Sequence, residues 1–521
     1  MRPRSKAGTI VRFLICFVLL FLGALLFAAS FWCQRHFGFV PLDQLIFTFR
    51  SPMEGANTDE VVTSFLAECL PVSLAAAVLL VLLAVNWVKP QKTVTVWLFR
   101  KPRTFGVFPF LLYRRLLPLL SAAALAGGIG YAAYTLYLPE FIESQLTRST
   151  LFEDAYVDPR SVTLTFPEEK RNLVYIYLES MENTYLSEEL GGHQEENLLP
   201  NLSDLALEHI NFSHTDTLGG ARQVTGTSWT IAAMVSQTAG IPLKIPVGDN
   251  DYGNKSARFL PGVWNLGDIL AQEGYRQKLL IGSDASFGGR RQYFTQHGGY
   301  AIWDYYTAKK TGKIEPDYRV WWGYEDLKLF DYAREELTAL AAEGEPFNFT
   351  MLTVDTHFPS GYVCPACWQD DERQYANVIS CSDRLVADFV WWMQQQDFYE
   401  NTTIILVGDH LSMDSQFFVN NGEYVRTTFN AVINAPMDTA FDKQRVFTTL
   451  DWFPTTLASL GVDIPGERLG LGTNLFSGQQ TLAESMGLEA LDDELKKVSS
   501  YYNKYFLYDG AGNSPEEQTS R

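Results

Sequence analysis

Glu179, Thr227 and the pair Asp409-His410 are the residues of this chain whose types suit one piece of chemistry. A hard divalent ion takes carboxylate oxygen and imidazole nitrogen, and it can bind a threonine hydroxyl and lower its pKa so that the oxygen becomes a nucleophile near neutral pH. The hydroxyl comes from Gly226-Thr227-Ser228-Trp229-Thr230. Gly226 permits a tight turn, and the apolar run Ile231-Ala-Ala-Met-Val235 implies a helix starting at the threonine, whose free N–H groups and dipole would face an incoming phosphate. A threonine in that place is more commonly just a helix cap. The company of Glu179 and Asp409-His410 turns the reading toward Thr227 as nucleophile and metal ligand.

Elements must bring these distant residues together. Asn172-Leu-Val-Tyr-Ile-Tyr-Leu178 and Thr402-Thr-Ile-Ile-Leu-Val407 are continuous β-branched, aliphatic and aromatic runs, the pattern of strands buried on both faces, and an acid follows each. Further strands are expected at 275–281 and 347–354. Helices are expected from about 199, after Thr227, and near 263–273, 325–343 and 378–396. The alternation predicts an α/β fold: a mainly parallel sheet flanked by helices, with the site at the strand C-termini.

The chain is 521 residues long and its composition divides it in two. Residues 1–138 carry 13 Lys/Arg against 5 Asp/Glu, so the net charge of −19 is +8 there and −27 in the remainder. Apolar stretches at 10–32, 64–88 and 116–138 are each long enough to cross a hydrocarbon core of roughly 30 Å at about 1.5 Å per residue. Lysines and arginines cluster before the first stretch and between 89 and 115, which puts the large C-terminal part outside the cytoplasm of a plasma-membrane protein. The expected organisation is a transmembrane region (1–138), a linker (139–168), a catalytic domain (169–478) and a C-terminal helical extension ending in a polar, disordered tail (479–521). The acidic C-terminal part offers no clustered Lys/Arg for nucleic acid.

Cys364, Cys367 and Cys381 lie close together in the part expected outside the cytoplasm, where one disulfide among them is expected; a redox pair or half a zinc site is the other reading of Cys364-Pro-Ala-Cys367. His36, His193, His209 and His214 have no acidic partners at metal spacing and are read as structural or surface residues. His297, seven residues after Arg290, is a candidate to line the same cleft.

Longer motifs carry a resemblance. Asn172-Leu-Val-Tyr-Ile-Tyr-Leu-Glu-Ser180, Leu199-Pro-Asn-Leu202, Gly226-Thr-Ser-Trp-Thr230, Gly240-Ile-Pro-Leu243, Thr353-Val-Asp-Thr-His-Phe-Pro359 and Gly408-Asp-His410 together resemble the lipoteichoic acid synthase and phosphoglycerol transferase family. Its members are membrane-anchored enzymes of the alkaline phosphatase and sulfatase superfamily. The resemblance spans roughly 170–478, and Glu179-Ser-Met-Glu-Asn-Thr-Tyr185 and Trp229-Thr-Ile-Ala-Ala-Met234 look closer to the branch that decorates periplasmic glucans.

The resemblance implies Glu179, Thr227, Asp409 and His410 as ligands of one divalent metal: manganese by the mixed donor set, with magnesium or zinc as alternatives. It implies Thr227 as the nucleophile that takes glycerol phosphate from phosphatidylglycerol, and His357 and Arg290 as contacts to the phosphoglyceryl group, His357 also in proton transfer. The acceptor would be a cell-envelope glycan or a glycerophosphate (teichoic) chain. The polymer-forming relatives have a tryptophan where this chain has Gly288 and a histidine where it has Ile281. Asp284 is a candidate to compensate, and a tryptophan placed at Gly288 should be tolerated if that position lines an open pocket. Competing readings are a phosphoethanolamine transferase, a sulfatase or phosphodiesterase of the same superfamily, and a non-enzymatic membrane sensor. For a sulfatase, Thr227-Ser-Trp-Thr-Ile231 lacks the proline and arginine of the formylglycine motif.

Overall fold

The structure is a computed structural model that describes residues 6–38, 42–50, 58–84, 93–98, 101–106, 110–244, 258–414, 416–418 and 421–507. The tail expected at 510–521 lies outside these residues. The chain divides into two compact units, the described residues of Met1–Pro41 with Thr58–Glu140, and those of Leu42–Asn57 with Phe141–Arg521.

In the first unit three helices are long and apolar enough to cross a membrane: Gly8–Phe37, Val61–Leu82 and Tyr113–Thr135. The second stretch is built from Thr58–Glu68 and Leu70–Leu82, which meet at Cys69. Pro71, in the first turn of the second piece, has no N–H to donate, so the junction falls where a proline is tolerated.

The second unit is built on a six-stranded sheet: β1 Asn172–Leu178, β2 Arg276–Ile281, β3 Ala301–Trp303, β4 Phe347–Leu352, β5 Thr402–Gly408 and β6 Asn430–Ile433, in the order β3-β2-β4-β1-β5-β6. All neighbours pair parallel except β6, which runs antiparallel to β5. β1 sits centrally. Leu173, Tyr175 and Tyr177 face one apolar cluster while Val174, Ile176 and Leu178 face another, so an unbroken apolar run is what its position demands.

Helices Pro200–Glu208, Asp326–Ala341 and Gln374–Met393 send side chains into the second cluster, and Thr230–Ala239 and Trp452–Ser459 into the first. The expected strands and helices are present with ends shifted by a few residues. β3 and the antiparallel edge β6 are additional. The segment expected as an extension is integral to the fold: Leu491, Leu495, Tyr502 and Phe506 are buried in the first cluster. The helix Leu42–Arg50, between the first two apolar stretches in sequence, belongs to this unit and buries Phe47 in the same cluster.

Candidate active site

β1, β2, β4 and β5 are mutually parallel, so the residues that follow their C-terminal ends converge on one edge of the sheet. Glu179 follows β1 and Asp409-His410 follow β5. The turn after β5 is tight: a Cβ at Gly408 would lie 1.8 Å from the Met181 carbonyl oxygen. Only glycine lets the two strand ends approach this closely.

Ligand atoms of Glu179, Asp409 and His410 lie within 4.8 Å of one another, and all three residues are buried. His410 Nε2 is 3.4 Å from Asp409 Oδ2 and 3.7 Å from Glu179 Oε1. Asp409 Oδ1 accepts from the backbone N–H groups of Ser180 (2.8 Å) and His410 (2.7 Å). Its Oδ2 is buried with no hydrogen-bond partner among the described residues. His410 Nδ1 is 3.0 Å from the Leu411 carbonyl, a contact that places the ring proton there and turns the Nε2 lone pair toward the carboxylates. Burial, then the neighbouring Glu179 charge, pushes the Asp409 carboxyl up to about 7. For His410, burial acts downward but the Asp409 and Glu179 charges outweigh it and raise the pKa. Two buried acids, an imidazole lone pair and an orphaned carboxylate oxygen fit a divalent cation, which would relieve the mutual repulsion.

The structure does not bring Thr227 to this group. Its hydroxyl is fully buried, donates to the Val224 carbonyl at 2.8 Å and accepts from the Val224 N–H at 3.1 Å, closing the turn that Gly226 (φ +77) opens. Of the two threonines it is Thr230 that reaches the cluster: its Oγ1 is 3.5 Å from Glu179 Oε2 and 3.5 Å from His410 Nε2, and the residue is half-buried, while the Ser180 hydroxyl already donates to Glu179 Oε1 at 2.8 Å. Thr230 is also the first residue of the helix Thr230–Ala239, so the N–H groups of that first turn, which have no partner within the helix, lie beside it. The motif contained both threonines. The signal that separates them is the helix start, three residues later than expected.

Arg290 and His357 belong to the same edge. The Arg290 side chain is buried, with Nε donating to the Phe287 carbonyl and Nη2 to Ser283 Oγ and the Asp284 carbonyl. Burial lowers its pKa to about 10, opposed by Asp284, Glu179, Asp304 and Asp409, so it stays cationic at neutral pH. His357 Nδ1 is 2.7 Å from the Phe358 carbonyl, which leaves Nε2 as the free lone pair. Burial, the first cause, lowers its pKa and favours the neutral ring.

Asp284 has a local task, since Oδ1 caps the Ser286 N–H at 2.8 Å. His297 stands apart, with Nδ1 2.9 Å from Asp268 Oδ2 and Nε2 2.8 Å from the Phe259 carbonyl. Among the three clustered cysteines, Cys367 and Cys381 form the disulfide and Cys364 keeps a buried thiol.

Gly288 is enclosed by neighbouring side chains. It is buried with φ +65, and a Cβ there would meet Ile231 at 3.4 Å and the Phe47 ring at 4.0 Å. Phe47 also packs on Trp229, ring centroids 5.6 Å apart, next to Thr230. No local pattern in the sequence ties Phe47 to this place.

The family model described as sulfatase matches residues 171–462. Phosphoglycerol transferase I of Salmonella choleraesuis (strain SC-B67) is 30% identical over 449 residues, covering 84% of this chain and 53% of that protein. Its counterpart in Salmonella paratyphi B (strain ATCC BAA-1250 / SPB7) is 31% identical over 396 residues, covering 72% and 49%. The chain thus spans about half the length of the curated relatives it matches. Among solved structures, the lipoteichoic acid synthase LtaP of Listeria monocytogenes superposes with a TM-score of 0.47 at 16% identity, covering 61% of this chain and 79% of that one.

Proposed function

The chain belongs to the sulfatase family, and on that footing we propose that it is a metal-dependent phosphoglycerol transferase, taking glycerol phosphate from phosphatidylglycerol and passing it to a cell-envelope glycan or glycerophosphate acceptor. The observation that carries this reading is the half-buried Thr230 hydroxyl, 3.5 Å from both Glu179 and His410, at the head of a helix. The curated relatives named phosphoglycerol transferase I support the choice of the transferred group. Membership of the family does not bring sulfate-ester chemistry with it, because the formylglycine context is missing around Thr227 and Thr230.

Glu179, Asp409 and His410, with Thr230, would hold one divalent ion, manganese by the mixed donor set with magnesium or zinc as alternatives, and that ion would supply positive charge to the phosphate oxygens and lower the pKa of the Thr230 hydroxyl. Thr230 Oγ1 forms a bond to the donor phosphorus as the ester bond to diacylglycerol breaks. The hydroxyl proton leaves with the diacylglycerol oxygen, and His357 Nε2, free and neutral, suits the task of carrying it. An acceptor hydroxyl then attacks the phosphothreonine, loses its proton to the same base and restores Thr230. Arg290 and the N–H groups of the Thr230 helix stabilise charge on the phosphoryl oxygens in both steps.

The test is to incubate the purified full chain with headgroup-labelled phosphatidylglycerol or phosphatidylethanolamine and sequence the labelled peptide. We expect glycerol label on Thr230. Label arriving only from phosphatidylethanolamine would make the protein a phosphoethanolamine transferase, and no covalent label from either lipid would remove the transferase reading.

A further inference from the structure

A turn that the mechanism does not use stands over the Arg290 and His357 edge. Val320 and Gly323 exchange both backbone hydrogen bonds, 3.0 and 2.8 Å, leaving Trp321 and Trp322 as the two-residue tip. Trp321 adopts φ +49, a left-handed conformation that is strained for so bulky a side chain. The turn is pinned to the segment that carries Asp284 and Arg290: Gly323 pairs with Ser283, and the Tyr324 N–H donates to the Gly282 carbonyl at 3.1 Å. Two glycines permit this approach. A Cβ on Gly323 would fall 2.2 Å from the Gly282 oxygen, and one on Gly282 would fall 2.6 Å from the Tyr324 oxygen.

The strained tip delivers Trp322 to the site. Its ring centroid is 4.5 Å from that of His357 and 5.5 Å from that of Phe287, and the Arg290 guanidinium lies 5.5 Å from the centroid of the same Phe287 ring. Phe287, Trp322 and His357 are all half-buried, so each keeps an open face. The indole N–H groups of Trp321 and Trp322 are buried without a partner among the described residues. Backbone strain and two unmade hydrogen bonds both cost stability, and an arrangement that keeps them beside a reactive centre points to a ligand rather than to the fold.

We infer that Trp322, backed by Phe287, is the specificity wall for the transferred headgroup and that it suits an uncharged polyol. The inference rests on the phosphoryl-transfer reading above and names what flanks the phosphate. A short polyol lays its C–H groups on the indole face and turns its hydroxyls toward His357 Nε2. A cationic headgroup would gain from the indole face but would come near the charge of Arg290, which neighbours the same Phe287 ring. Among the described residues the ring contacts of Trp322 are with Phe287 and His357, neither a candidate metal ligand, so a change at Trp322 can alter selectivity and leave the metal centre in place.

The experiment uses the metal-loaded full chain in nanodiscs. Dissociation constants of sn-glycerol 1-phosphate, phosphoethanolamine and inorganic phosphate are measured for the wild type, Trp322→Ala and Trp322→Phe, together with covalent labelling of Thr230 by phosphatidylglycerol. We expect Trp322→Ala to weaken glycerol phosphate by about tenfold, with about threefold or less for the other two ligands, and Trp322→Phe to recover most of the loss. An equal loss for all three ligands would reduce Trp322 to a packing residue and overturn the inference. So would an unchanged affinity for glycerol phosphate, or a loss greatest for phosphoethanolamine. Failure of the underlying reading appears elsewhere, as an unlabelled Thr230 in the wild type.

Discussion

At the scale of single residues the site turns on which of two threonines is accessible. Thr230→Ala should abolish covalent labelling and lower turnover by about three orders of magnitude or more, since it removes the proposed attacking oxygen. Thr227→Ala should still be labelled, and should lose about 1–2 kcal/mol of stability because the Val224 N–H and carbonyl are left unpaired. Peptide mapping of both variants decides it: label lost from Thr227→Ala and kept in Thr230→Ala would reverse the assignment. Glu179→Gln, Asp409→Asn and His410→Ala should each lose metal and activity together, whereas Arg290→Ala should keep its metal and lose transfer. Elemental analysis with full occupancy in the first three variants would contradict the ligand set. Gly288→Trp should cost about 2–4 kcal/mol, combining a left-handed backbone with overpacking against Ile231 and Phe47. A melting temperature equal to the wild type would show that the space is open after all.

At the scale of elements, the helix Pro200–Glu208 is tied to the helix Gln374–Met393 through one carboxylate. Asp383 accepts from Leu202 N at 2.7 Å, Asn201 N at 3.2 Å and Asn201 Nδ2 at 2.6 Å. Burial outweighs these bonds and raises its pKa from 3.8 to about 6. A folded pKa above the unfolded one means that the native state holds the proton more tightly. The associated stability is therefore present below about pH 4 and is lost as pH rises through about 6, an effect of about 3 kcal/mol over that window. Asp383→Asn cannot ionise, so the wild type should lose melting temperature relative to this variant between pH 4 and pH 7. A constant difference, or one of opposite sign, would show that the bonds from Asn201 and Leu202 dominate.

At the scale of the whole molecule, the charge division of +8 and −27 and the three apolar helices Gly8–Phe37, Val61–Leu82 and Tyr113–Thr135 set a topological expectation. With the basic segments inside, a reporter fused after Arg521 should be active only outside the cytoplasm, and one placed in the 89–115 loop only inside. Reversal of both reporters would put Thr230 on the side that lacks envelope acceptors. Three spans would also hold the donor lipid and the enzyme in one bilayer, making donor capture an encounter at high effective concentration.

The sequence by itself determined the central strands and their role. A strand covered on both faces needs an unbroken apolar run, so 172–178 and 402–407 were legible without a partner in view, and so were the acids just beyond them. The three long apolar helices were legible for a related reason, since length and apolarity alone decide whether a helix can cross hydrocarbon. Only the tertiary structure placed Thr230, and not Thr227, beside the acids, because that depends on where the helix begins and on which hydroxyl the Val224 backbone already holds. Phe47 and Trp322 were equally invisible. Each reaches the site from a segment far from it in sequence, Phe47 onto Trp229 and Trp322 onto His357. Local patterning fixes an element and the faces it buries, but which side chains meet across distant segments is set by how the elements pack.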